Sequence, residues 1–168
     1  HTASAYFQYF MNPADFQPIT DFSTIRPFFW QRMYHLNWQT VLHLLQKTQF
    51  EKMHLHFVLD PHPPKDANPK NLPEEAFLPP AEILKEKNIT VTRWLENPKE
   101  IIDIIRRSNL YFAPRAWEGI GMSFLEAMSM GMPVVAPCNP TMSEYIVDKD
   151  NNKANILICI IYIYIKNS

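Results

Sequence analysis

Residues 110–136 read LYFAPRAWEGIGMSFLEAMSMGMPVVA, and their layout decides the fold. Leu110, Tyr111, Phe112 and Ala113 make a short apolar run of strand type, stopped by Pro114. A loop follows, carrying Gly119 and Gly121. From Met122 to Met130 the apolar residues recur at helical spacing, and Gly131 with Pro133 just beyond closes that helix. Pro133, Val134, Val135 and Ala136 form the next apolar run. The order is strand, glycine loop, helix, strand.

The same alternation extends upstream. Residues 27–32 (PFFWQR) read as a buried strand, and Asn37 as the N-cap of a helix carrying Trp38, Val41, Leu42 and Leu45 on one face. Residues 54–59 (HLHFVL) read as a second strand, stopped by Asp60-Pro61. Residues 61–80 hold seven prolines, too many for the interior of a regular element, and are expected to form a long surface loop. A short helix over 81–87 leads to a strand at 89–92. Asn97-Pro98-Lys99-Glu100 announces a further helix, with apolar face Ile101, Ile102 and Ile105. Short continuous apolar strands alternating with helices imply a parallel sheet covered on both faces. The expected fold class is therefore doubly wound, Rossmann-like α/β, over residues 27–150. Residues 1–26 read as a linker or lead-in, and 151–168 as an atypical tail built almost wholly of Asn, Lys, Ile and Tyr.

Composition narrows the function classes. The chain has 168 residues, 46% of them hydrophobic, which suffices for one packed domain. Sixteen Lys and Arg against seventeen Asp and Glu leave no basic excess, which argues against a nucleic-acid partner. Two cysteines, Cys138 and Cys159, cannot build a disulfide framework or a structural zinc site alone. No secretory leader is recognisable. The longest apolar run, 156–165, is about half the roughly 20 residues that span a bilayer. A cytoplasmic setting is expected. Only three glycines occur, and all fall within residues 119–131, so the chain's backbone freedom is concentrated in one place.

That place has the layout of an anion site. Ligands of open α/β sheets bind outside the carboxyl ends of the strands. A helix opening after Gly121 offers unpaired N–H groups and a positive dipole end, suited to phosphate. A branched side chain at Gly121 is expected to block that approach without disturbing the fold. Simpler readings stand beside this one. The G-x-G is not a dinucleotide fingerprint, because Phe124 holds the third glycine position. Ser123 and Glu126 fit a capping box, Glu118 fits a solvated loop acid, and Arg32 fits a surface ion pair.

Residues 118–136 closely resemble the donor-site signature of the group 1 glycosyltransferases, E-G-F-G-x-x-x-x-E-A-M-A-x-G-x-P-V-V-A. Glu144, in Met142-Ser-Glu-Tyr-Ile146, resembles the Glu that follows it. The resemblance implies the donor-binding, C-terminal half of a GT-B fold. It further implies a retaining enzyme that transfers a sugar from a nucleoside-diphosphate sugar, in glycan or polysaccharide biosynthesis. Glu118 is then expected to contact the donor sugar and Glu126 the ribose hydroxyls. Gly119, Ile120, Gly121, Met122 and Ser123 would line the diphosphate, and Arg32 would neutralise the leaving phosphate. The donor is a substrate, and no cofactor or metal is implied.

The resemblance also implies partners. An acceptor-binding domain or subunit is expected besides the nucleotide sugar, so the chain alone is expected to be inactive, a binding module or remnant. Peripheral membrane association of the parent enzyme is compatible with the family. Several departures are visible. Asn37-Trp38 replaces the family's Lys-Gly, which leaves a second phosphate cation to be supplied by His35 or another residue. Asp60-Pro61 replaces a glycine-rich turn. Trp94 stands near the expected base pocket, where it fits a core tryptophan better than a base-stacking one.

Overall fold

The computed structural model describes residues 11–61, 71–115, 121–137 and 145, and the backbone of 156–159. Five strands lie parallel in one sheet: β1 (Pro27–Gln31), β2 (Met53–Phe57), β3 (Ile89–Thr92), β4 (Leu110–Phe112) and β5 (Val134–Pro137). Four helices accompany them: α1 (Trp38–Leu44), α2 (Ala81–Glu86), α3 (Pro98–Arg106) and α4 (Met122–Ser129). This is the doubly wound, Rossmann-like α/β arrangement expected from the sequence. Within the atypical tail, Ile156–Cys159 forms a sixth strand, β6, antiparallel to β5 at the sheet edge.

The strand order is β3-β2-β1-β4-β5-β6. The chain winds outward from β1 through β2 to β3, then returns to the other side of β1 for β4. The winding direction therefore reverses between β1 and β4, and their carboxyl ends open the crevice in which such sheets hold ligands.

Both faces are covered because the strand side chains alternate. Phe28, Tyr111, Ala113, Val134 and Ala136 meet Phe124, Leu125 and Ala127 of α4 and Ile105 of α3 on one face. Phe29, Leu55, Phe57, Phe112 and Val135 meet Val41 of α1 and Ile83 and Leu84 of α2 on the other. The face of α3 comprises Ile101, Ile104 and Ile105. Ile104 takes the place expected for Ile102, because the i, i+3, i+4 set shares one side of a helix.

Local signals explain the boundaries. Asn37 Oδ1 accepts from the N–H groups of Gln39 and Thr40 at 3.0 and 3.2 Å, and Asn97 Oδ1 from Lys99 at 3.0 Å. These are two asparagine N-caps. Gly131 has φ of 74°, and the N–H groups of Gly131 and Met132 bond the carbonyls of Met128 and Ala127 at 2.9 and 3.0 Å. That is a Schellman closure, for which glycine suits the left-handed position. Strand β2 starts one residue earlier than the sequence suggests, since fully buried Met53 pairs with Ile89.

The aperiodic lead-in is tied down by polar bonds. Asn109, nearly fully buried, accepts from Arg26 N–H at 2.8 Å and donates to the carbonyls of Asp21 and Thr24. Met11, Phe16 and Ile19 pack against the α3–α4 face. In the proline-rich stretch, residues 62–70 lie outside the described residues. Its end makes a 3-10 turn at Glu74–Phe77, and the Phe77 carbonyl accepts from Trp38 Nε1 at 3.1 Å. Among the described residues, no helix is long and apolar enough to cross a membrane.

Candidate functional site

The carboxyl ends of β2, β1 and β4 lie side by side, and a charged group follows each. Arg32 follows β1, Asp60 lies three residues past β2, and Arg115 lies three past β4. Arg32 Nε and Nη2 donate to Asp60 Oδ1 at 2.8 and 2.7 Å. Arg115 Nη2 donates to Oδ1 and Oδ2 of the same carboxylate, both at 2.7 Å. Asp60 is only 15% exposed and each arginine side chain 29%, so these are partly desolvated, charge-assisted bonds. Arg32 also lies over the Trp30 ring, 4.8 Å from its centroid. The sheet continues to hold this edge past the strands, with Asp60 N–H on the Arg32 carbonyl at 2.9 Å.

Helix α4 begins beyond the same edge. Its first intrahelical acceptor is the Gly121 carbonyl, which takes Leu125 N–H at 3.1 Å. Gly121 has no side chain with which to cap the helix. The N–H groups of Met122 and Ser123 belong to the first turn, where no carbonyl of the helix reaches them. Four or five turns of aligned dipoles are not needed for this effect, since it acts through the first turn.

Ser123 is thus the second helical residue and Glu126 the fifth. The capping-box reading fails for that reason: it needs Ser123 just outside the helix, and the cap is Gly121. Glu126 is half-buried, and burial pushes its carboxyl above the usual range.

Gly121 is required for a different reason from the one expected. Its φ is −79°, which any residue adopts. A Cβ there would overlap the ring of Phe124, itself fully buried and edge-on to Tyr145 at 5.8 Å. A branched substitution would therefore disturb the core beneath the site as well as the approach to it. Trp94 also departs from expectation. It is 74% exposed, so it is not a core residue. Strand β3 ends at Thr92, and Trp94 stands beyond the packed layer.

Glu118, Gly119 and Ile120 lie outside the described residues, as does Glu144. The structure places Arg32 just past the end of β1, Gly121, Met122 and Ser123 at the start of α4, and Glu126 midway along it. His35 is exposed. Two residues of this edge are not marked as site residues by the sequence: Asp60 reads as a strand stop and as the replacement of a glycine-rich turn, and Arg115 carries no local signal. They meet because β2, β1 and β4 are neighbours in the sheet, which no local sequence signal states. The sequence also contains one D-x-D spacing, Asp148-Lys149-Asp150, outside the described residues. Among the described residues, no cluster of three or more His, Cys, Asp or Glu could hold a metal ion.

Along the adjoining part of the sheet runs a second polar array. His54 Nδ1 and Nε2 lie 2.9 Å from the hydroxyls of Thr90 and Thr92, and His56 Nδ1 lies 2.8 Å from Thr92. Burial lowers both histidines to about 4, helped for His54 by His56, Lys52 and Arg107 and for His56 by Arg32. They are neutral side chains of the sheet.

No curated protein matches the chain significantly. The family model of glycosyl transferases group 1 matches residues 65–156, which takes in Arg115, the glycine loop, α4 and β5. That span is more than half of the sequence, and the chain belongs to the group 1 glycosyl transferases.

Proposed function

We propose that the chain is the donor-binding domain of a retaining glycosyltransferase of GT-B type, holding a nucleoside-diphosphate sugar at the start of α4. The observation that supports this most directly is geometric. A helix whose cap residue has no side chain follows β4, at the crevice where the strand order reverses, and Arg32 stands at the end of neighbouring β1.

The chemistry follows from charge. Breaking the anomeric bond leaves negative charge on the diphosphate. First-turn amide groups of α4 and the Arg32 guanidinium would meet that charge as it develops. Glu126 would hold the ribose hydroxyls, because a carboxylate accepts hydrogen bonds from vicinal hydroxyls. Glu118 would hold the sugar. A place in glycan or polysaccharide biosynthesis, a cytoplasmic setting, an acceptor-binding partner and inactivity of the chain alone belong to the same reading. So do residues 27–150 as the nucleotide-sugar-binding unit. The donor is the ligand, and the reading assigns no metal or cofactor.

The two glutamates separate the parts of the ligand. Glu126→Ala should weaken both the free nucleoside diphosphate and the nucleotide sugar. Glu118→Ala should weaken the nucleotide sugar alone. Each loss should be about 1.5–3 kcal/mol, roughly ten- to a hundred-fold. Calorimetric titration of both variants with both ligands gives the comparison, and equal effects on the free nucleotide would overturn the assignment.

A further inference from the structure

Two guanidiniums from neighbouring strands converge on one carboxylate oxygen. Arg32 Nη2 and Arg115 Nη2 each lie 2.7 Å from Asp60 Oδ1, at the mouth of the crevice between β1 and β4. An oxygen met by donors of two arginines has the surroundings that a phosphate oxygen accepts. Two cations so close repel, and a partly desolvated setting strengthens that repulsion. Asp60 offsets it in the unliganded chain and so keeps the pair together.

We propose that Arg115 is a second phosphate-binding cation of the donor site, acting with Arg32 on the diphosphate of the bound nucleotide. The proposal rests on the reading that α4 receives a nucleoside diphosphate. Arg115 precedes Gly121 by only six residues. Arg115 stands three residues past β4 and α4 opens after Gly121, so the guanidinium and the first-turn amide groups both follow β4, beside the point where the strand order reverses. Among the described residues, Arg93, just past β3, is engaged elsewhere. It lies 3.5 Å from the carboxylates of Glu74 and Glu75 and sits over the Phe57 ring. An arginine also suits the task chemically, since its planar fork stays charged and matches phosphate oxygens.

The test uses the 168-residue chain and titrates uridine, guanosine and adenosine diphosphates, then the plain nucleoside of whichever binds. Arg115→Ala should lower the diphosphate affinity about ten- to a hundred-fold and leave the nucleoside affinity unchanged. Arg115→Lys should recover part of the loss, because it restores the charge. Arg115→Gln keeps a donor for Asp60 and removes the charge, so it gives the same answer if the alanine variant fails to fold. A merely structural Arg115 would lower the two affinities together, or neither, and either result overturns the proposal. If Arg32→Ala weakens diphosphate binding and Arg115→Ala does not, this assignment alone falls. If the unaltered chain binds none of the three diphosphates, the donor reading falls and takes this assignment with it.

Discussion

Glu126 is half-buried at an energetic cost. Burial raises its carboxyl pKa above the ordinary value, so the folded chain holds that proton more tightly than the unfolded chain. Stability from this group is present at low pH and is lost as pH rises through the raised value. Above the raised value the ionised, half-buried carboxylate therefore opposes folding. Glu126→Gln should raise the melting temperature of the unliganded protein at neutral pH, and the gain should vanish in acid. The same change should weaken nucleoside diphosphate about ten- to a hundred-fold. Melting curves at two pH values beside a titration check both halves, and a lower melting temperature at neutral pH would contradict the account. Residue roles were the least legible feature of the sequence. The glycine at 121 was recognisable as a contact point, but its conflict with Phe124 depends on where that ring packs. Trp94 is exposed although its residue type suggested core, because an indole's burial is set by what lies across from it.

Elements were far more legible, since their signals are local. Asparagine before each of α1 and α3, proline at the first position of α3 and glycine after α4 each fix a boundary through one or two hydrogen bonds. The lead-in was not legible, because what holds it is Asn109, more than eighty residues away in sequence. Strand β2 has a measurable consequence of its own. His54 and His56 titrate near 6.5 when unfolded and at about 4 when folded. In that interval the unfolded chain binds more protons, so stability is full above the interval and is lost as pH falls through it. Urea midpoints should decline between pH 6.5 and about 4. Replacing both histidines with asparagine should flatten the decline even if it lowers the starting value. An unchanged slope would show that other groups control the acid limb.

At the scale of the whole molecule, strand order turns local elements into a site. Arg32, Asp60 and Arg115 lie on segments separated by 28 and 55 residues, and nothing in their local sequence associates them. They meet because β2, β1 and β4 are neighbours in a parallel sheet, with all carboxyl ends on one side. The doubly wound class could be read from the alternation of apolar runs, whereas the pairing across the crevice needed the topology. The account's central claim is that a nucleoside diphosphate sits on the first turn of α4. Amide resonances of the isotope-labelled chain, followed while uridine, guanosine or adenosine diphosphate is added, test it most directly. The account predicts that the diphosphate that binds moves the Met122 and Ser123 amides most, and that Arg32→Ala reduces the shifts at equal ligand concentration. Binding that leaves those two amides in place, or no binding by any of the three, would contradict it.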